Sequence, residues 1–334
     1  MDPVTHALVS AAIGRAGARK LTRYAIPMLL ISGTAADLDW ASAAGGPLKF
    51  LQWHRGPADS LLGAAIIAAI VTVIFIAVGK KQPRASFRIG AAYLVCLIGA
   101  LAHTGLDALN SVGVEIFWPF SAKRYAMDIL AATDVWLLVL LILFLGVPSI
   151  FRLATQEIGA RAKSGVSVSA IAALMLIGLY VWGRWGFHAQ ALASMHNELF
   201  HGQIPIRERA YPSAVNPFQW DGVVDTQTTL QEAPVPVLLG RPFDSDRAVI
   251  FPKPPDSLPL ERAKSTDTAR LFLQFADFPR ARVMSAGEGY QIQIYDLRFD
   301  KERKGIGGIF AVIEIDKNAQ VTGEQLHWGT PLER

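Results

Sequence analysis

Cysteine is almost absent: the chain has 334 residues and one cysteine, Cys96, which lies inside an apolar run. A disulfide framework and a cysteine-based zinc site are therefore excluded within one chain. Charge is scarce too. Asp, Glu, Lys and Arg make up 18% of residues against 51% hydrophobic, which is too apolar for an ordinary soluble enzyme. The net charge of +4 is small, and its Lys and Arg sit mostly at the ends of apolar runs. That pattern reads as membrane topology signals, and nucleic acid is not an expected partner. No basic stretch precedes the first apolar segment and no cleavage site follows it, so the N-terminus reads as a retained helix rather than a signal peptide.

What is present falls into two parts. Residues 1–187 carry long apolar runs joined by short basic connectors, and residues 188–334 carry charge, proline and alternating segments. The expected fold is an α-helical transmembrane bundle of about six helices followed by a soluble, β-rich extracytoplasmic domain. A spanning helix needs roughly 20 mostly apolar residues. Tyr24 to Ala44, Ala58 to Gly79, Phe87 to Leu109, Ile129 to Pro148 and Val166 to Gly186 meet that length, and a shorter helix is expected over Val4 to Ala18, capped by Asp2 and Pro3. In the second part, Ala269 to Phe275, Gly289 to Phe299 and Gly308 to Ile315 read as strands.

Basic connectors orient the bundle. Arg15, Arg19, Lys20 and Arg23 form one; Lys80, Lys81, Arg84 and Arg88 a second; Arg152, Arg161 and Lys163 a third. All three are expected in the cytoplasm, which places the N-terminus, the connectors near His54 and Trp118, and everything after Phe187 on the outer side. The expected location is a bacterial inner membrane, crossed several times.

Ionisable residues in or beside spanning helices are costly and mark polar interiors. His6, Asp37, Asp39, His54, His103 and Asp107 stand out, with Asp128 and Asp134 as a second tier. His103 and Asp107, four apart, share one helix face. With the orientation taken from Lys and Arg alone, all six fall near the outer surface. Imidazoles and carboxylates together suit a divalent metal, zinc first, as one or two ions, with manganese or iron also compatible. Such an ion activates water and polarises a phosphoryl or acyl oxygen, so hydrolysis is the expected chemistry. Arg55 offers a planar fork for a phosphate. The blander reading of His103 and Asp107 is a hydrogen-bonded pair joining helices, and of Arg55 a contact to lipid phosphate. Asp37 and Asp39 are both candidates for the direct ligand, the other lying behind it.

Asp2-Pro3-Val4-Thr5-His6, Asp37-Leu38-Asp39, His54-Arg55-Gly56, His103-x-x-x-Asp107 and Trp118-Pro119-Phe120-Ser121 together resemble the YdjM-type family of membrane-bound metal-dependent hydrolases. The resemblance spans about residues 1–147. That family is similar in turn to zinc-dependent phospholipase C and the P1-type nucleases, whose ligand order implies His6, Asp37 or Asp39, His54, His103 and Asp107 as metal ligands here. Those enzymes add a His-x-x-x-Glu, whereas here His196 is followed four residues on by Phe200. A three-metal centre is therefore not expected, and Asp128 and Asp134 are the remaining acids that could substitute.

The expected function is a membrane-bound metal-dependent hydrolase of phosphoesters, phospholipase C-like or phosphodiesterase-like, with lipid or another envelope molecule as substrate. Asp37 or Asp39 would act as general base and Arg55 would steady the anion. The alternative is a non-catalytic envelope protein, in which a metal locks the helices and the β domain binds a partner protein.

Overall fold

A computed structural model describes residues 1–79, 88–151, 166–196, 198–237, 243–299 and 308–329. Lys80, Lys81, Arg84, Arg152, Arg161 and Lys163 lie outside these residues.

Helix α1 is Pro3–Ala16, opened by Asp2, whose carboxylate accepts from the Thr5 amide at 2.9 Å. α2 is Ala25–Thr34, followed by a run of 3-10 turns over Ala36–Gly45. α3 is Pro47–Trp53, α4 Leu61–Gly79, α5 Ile89–Ala108, α6 Val135–Phe151 and α7 Val168–Met195. α4, α5 and α7 are long and apolar enough to cross a membrane. Among the described residues these three reach the length of a full span, and α6, an apolar helix of 17 residues, runs to Phe151, the last described residue before 166. α1 and α2 reach only about 21 and 15 Å at 1.5 Å per residue.

The departures have local causes. Tyr24 to Ala44 does not form one helix because Asp37, Asp39 and Ser42 offer the backbone competing polar partners after Thr34. The segment expected to start at Ile129 becomes helical only at Val135, because Asp134 caps it by accepting from the Leu137 amide at 3.1 Å. A π turn over Ile142–Gly146 lets α6 pass Pro148, which has no N–H to donate. α7 runs on beyond Gly186 because Ala191 and Met195 pack against Trp220 and Val235 of the first sheet. Its 28 residues span about 42 Å, more than the ~30 Å hydrocarbon core.

The helices alternate in direction. His6 near the start of α1, Asp37 just after α2 and Asp107 at the end of α5 meet at one end, while Arg15 near the end of α1 donates to Ser149 of α6 at the other. Close approach of α1, α2 and α5 depends on small residues. A Cβ on Gly33 would lie 2.1 Å from Ser10 Oγ, and one on Gly99 2.4 Å from Ser32 Oγ and 3.1 Å from the Leu29 carbonyl.

The C-terminal part is rich in β-sheet and holds two four-stranded antiparallel meanders. β1 to β4 are Arg207–Pro212, Gln219–Asp225, Thr229–Pro236 and Val249–Pro252. β5 to β8 are Pro279–Ala286, Gly289–Asp296, Gly308–Ile315 and Val321–Gly329. Ala269 to Phe275, expected as a strand, is helical. It belongs to α9, Asp267–Phe275, which follows α8, Leu258–Lys264. Leu271, Leu273 and Phe275 imitate a strand period, but Thr266 caps the helix, and the buried pair Ala269 and Phe272 follows helical spacing. Both helices cover one face of the second sheet through Leu260, Ala263, Ala269 and Phe272. Lys301 to Lys304 lie outside the described residues.

The second sheet's core extends into the membrane part. Phe50 and Leu51 of α3 are buried in it. Phe50 stacks on the His54 ring at 4.3 Å and meets Trp328 of β8 edge-on at 5.1 Å. Arg298, buried and paired with Asp296, donates to the carbonyls of Ser111 and Phe275. The β domain therefore touches the connectors on either side of the α4–α5 pair.

Candidate metal centre

α5 carries His103 and Asp107 one turn apart on its buried face. The close approach at Gly33 and Gly99 brings the Gly33 carbonyl within 2.9 Å of His103 Nδ1. A carbonyl oxygen only accepts, so Nδ1 carries a hydrogen, which leaves Nε2 as the ring nitrogen open to a metal. That nitrogen faces Asp59 Oδ1 at 3.0 Å, Asp107 Oδ2 at 3.8 Å and Asp37 Oδ1 at 4.0 Å. Either a proton on Nε2, donated to Asp59, or a cation among these oxygens satisfies that geometry.

His6 stacks on His103 with ring centroids 3.8 Å apart, and its Nε2 is 3.2 Å from Asp107 Oδ1. Neither of its ring nitrogens makes an aligned hydrogen bond, and Asp37 Oδ2 is likewise buried without a partner. Two overlapping triads result, His6–Asp37–His103 and Asp59–His103–Asp107, each with ligand atoms within 4.8 Å of one another. Asp107 also contacts the Met1 amine and lies 3.4 Å from Arg55 Nε.

Two buried carboxylates, Asp59 and Asp107, and the half-buried Asp37 therefore converge, with Arg55 and the Met1 amine set against Asp107. Burying charge costs several kcal/mol per ion in order of magnitude, and a divalent cation would offset part of that here. The donor set of two imidazoles and three carboxylates fits zinc, and also manganese or iron. His6, Asp37, Asp59, His103 and Asp107 are the residues that would hold it.

Asp39 and His54 are placed beside this group rather than in either triad. Asp39 Oδ1 is 3.1 Å from His54 Nδ1, and Asp39 Oδ2 accepts from the Arg55 amide at 2.7 Å. Arg55 has φ of 58°, in the left-handed region, a conformation that costs on the order of 1–3 kcal/mol for a non-glycine residue. The Asp39 contact stabilises that turn and aims the guanidinium inward, where NH1 donates to Asn110 Oδ1 at 2.7 Å. Burial lowers the Arg55 pKa to about 10, opposed by Asp59, Asp39 and Asp37, so the group stays charged at neutral pH.

Asp128 and Asp134 stand elsewhere. Asp128 pairs with Arg209 of β1 at 3.0 Å. Asp134 caps α6 and accepts from the Tyr180 hydroxyl at 2.9 Å. Both are structural partners outside the cluster. Asp59 is the residue that sequence reasoning passed over. Its signal was an acid in Gly56-Pro57-Ala58-Asp59, immediately before an uninterrupted apolar helix.

Comparison with known proteins gives the family. The model of the YdjM inner membrane protein family matches residues 1–189, the part that holds the cluster. The YfhP C-terminal alpha/beta plait domain matches residues 259–333, which contain α8, α9 and the second sheet. The YfhP protein of Bacillus subtilis (strain 168) is 23% identical across 98% of this chain and 95% of its own length. No solved structure matches. With more than half of its length matched, and with three helices able to cross a bilayer, the chain belongs to the YdjM inner membrane protein family.

Proposed function

We propose that the protein is a membrane-embedded, metal-dependent hydrolase of phosphoesters whose centre lies toward the extracytoplasmic face. The observation that carries this reading is the convergence of Asp37, Asp59 and Asp107 on Nε2 of His103, in overlapping triads with His6. A bound divalent ion would supply Lewis acidity and a lowered water pKa. The remaining work falls to the chain. Asp39 Oδ1, 3.1 Å from His54 Nδ1, orients that ring, whose Nε2 would then take a proton from the attacking water. Arg55, fixed by Asp39 and Asn110, offers its charge to the phosphate. Sidedness rests on Arg15, Arg19, Lys20, Arg23 and Arg88, which lie at helix ends away from the cluster. The β domain, at the cluster end, then lies outside the cytoplasm.

The test is elemental analysis of detergent-purified protein followed by a phosphodiester and phospholipid screen of the metal-loaded sample. Metal-dependent release of a phosphoester product supports the reading. Stoichiometric metal with no turnover of any phosphoester contradicts it.

A further inference from the structure

His103 lies fourteen residues beyond Ile89, about 21 Å along the apolar helix α5 and about a turn and a half before its end at Ala108. Beside it opens an apolar groove of about 510 Å³ walled by Ala35, Leu38, Trp53, Ile66, Ile67 and Trp118, within the ~300–1,000 Å³ of small-molecule sites. Its walls interleave with the candidate ligands along the chain, since Ala35 and Leu38 flank Asp37 and Ala58 precedes Asp59. Asp39 and Ser42 form its polar end. Its other side is α4, whose Ile66, Ile70, Val73 and Ile74 are about half exposed or more and form the helix's outer, lipid-facing stripe. Leu38, 75% exposed, and Trp53, 52% exposed, stand at the mouth. Exposed apolar side chains are ordinary where a helix meets lipid, so what distinguishes the groove is its concave shape and its place beside the candidate ligands.

We propose that this groove holds an acyl chain of a membrane glycerophospholipid, which enters sideways from the bilayer and brings its phosphate to the centre beside Arg55. The inference rests on the hydrolase reading for its consequence but not for its geometry. Continuity with the lipid-facing stripe of α4 selects a lipid over a water-soluble ester, and the polar end at Asp39 sets the direction in which the molecule lies.

The experiment uses the full chain in nanodiscs of phosphatidylethanolamine and phosphatidylglycerol containing a phosphatidylglycerol with a photoactivatable diazirine in its acyl chain. Crosslinks are mapped by mass spectrometry, and phospholipid turnover is measured in parallel. Labelling should concentrate on residues 58–67 and Trp118 over residues 70–78. Ile66→Trp should reduce it about ten-fold, the loss corresponding to displacement of roughly two methylene groups. Ile74→Trp, on the lipid-facing stripe outside the groove, should leave it unchanged and controls for folding. Labelling spread evenly along α4, or unaffected by Ile66→Trp, overturns the groove, whatever the turnover. Concentrated labelling without turnover upholds the groove and overturns hydrolysis instead.

Discussion

At the residue scale, the hydrogen bond from His103 Nδ1 to the Gly33 carbonyl fixes which nitrogen can take a metal. His103→Ala and Asp59→Ala should each weaken metal binding by more than about ten-fold, since each removes a donor from the overlapping triads. Asp39→Ala should behave differently. It leaves the triads intact but frees His54 and the Arg55 turn, so metal content should persist while turnover falls about 10- to 100-fold, as when an outer partner is lost. Competition titration with a chromophoric chelator, run beside rate assays, separates the two classes. His6, Asp37, His103 and Asp107 could be picked out of the sequence because an acid or imidazole in an apolar helix stands out against its surroundings. Asp59 could not, because it lies at a helix start where acids are common. The difference between Asp37 and Asp39 was equally hidden: two residues apart, they take different partners only because the chain between them is wound in 3-10 turns.

At the element scale, the apolar runs announced α4 and α5 almost to their ends, since an uninterrupted hydrophobic stretch has one structural solution in lipid. α2 and α9 were misread for opposite reasons. Polar residues after Thr34 broke a helix that hydropathy alone continued, and alternating leucines disguised a helix as a strand. α3 shows how elements couple: Phe50 belongs to the core of the second sheet and stacks on His54. Phe50→Ala should cost about 3–5 kcal/mol of stability, as for other buried aromatic truncations, and should lower turnover with metal retained, read by thermal melting and metal analysis together. Gly99→Leu should also destabilise, by about 1–3 kcal/mol, because its Cβ would press on Ser32 and the Leu29 backbone.

The two sheets meet at Asp277, which accepts from Tyr211 Oη at 2.6 Å and from Arg207 at 2.8 Å. Burial raises its pKa, but the Tyr211 hydroxyl and the arginines 209, 298 and 207 outweigh it and hold the carboxyl below its ordinary 3.8. A depressed folded pKa contributes stability above the ordinary value and loses it as pH falls through the folded one. Wild type should therefore lose melting temperature as pH falls below about 4, and Asp277→Asn should flatten that part of the profile.

At the scale of the whole molecule, the protein is a helical membrane part whose site end is capped by two sheets, with α7 as the continuous strut between them. Division into an apolar and a polar half was legible from composition, but the packing of Phe50 beneath the second sheet was not, because contacts that distant in sequence leave no local pattern. Sidedness can be read from single cysteines, since Cys96 is buried. With a membrane-impermeant maleimide on intact cells, Lys317→Cys should label directly and Lys20→Cys only after permeabilisation. The reverse would place the centre on the cytoplasmic side.

The most direct test of the central claim is the metal content of purified wild type beside His103→Ala, measured by inductively coupled plasma mass spectrometry on monodisperse, folded protein. Wild type should carry one or two equivalents of a divalent transition metal, zinc foremost, and the variant should lose most of it. Metal-free wild type after reconstitution with zinc, manganese and iron, or an undiminished load in His103→Ala, would contradict that claim.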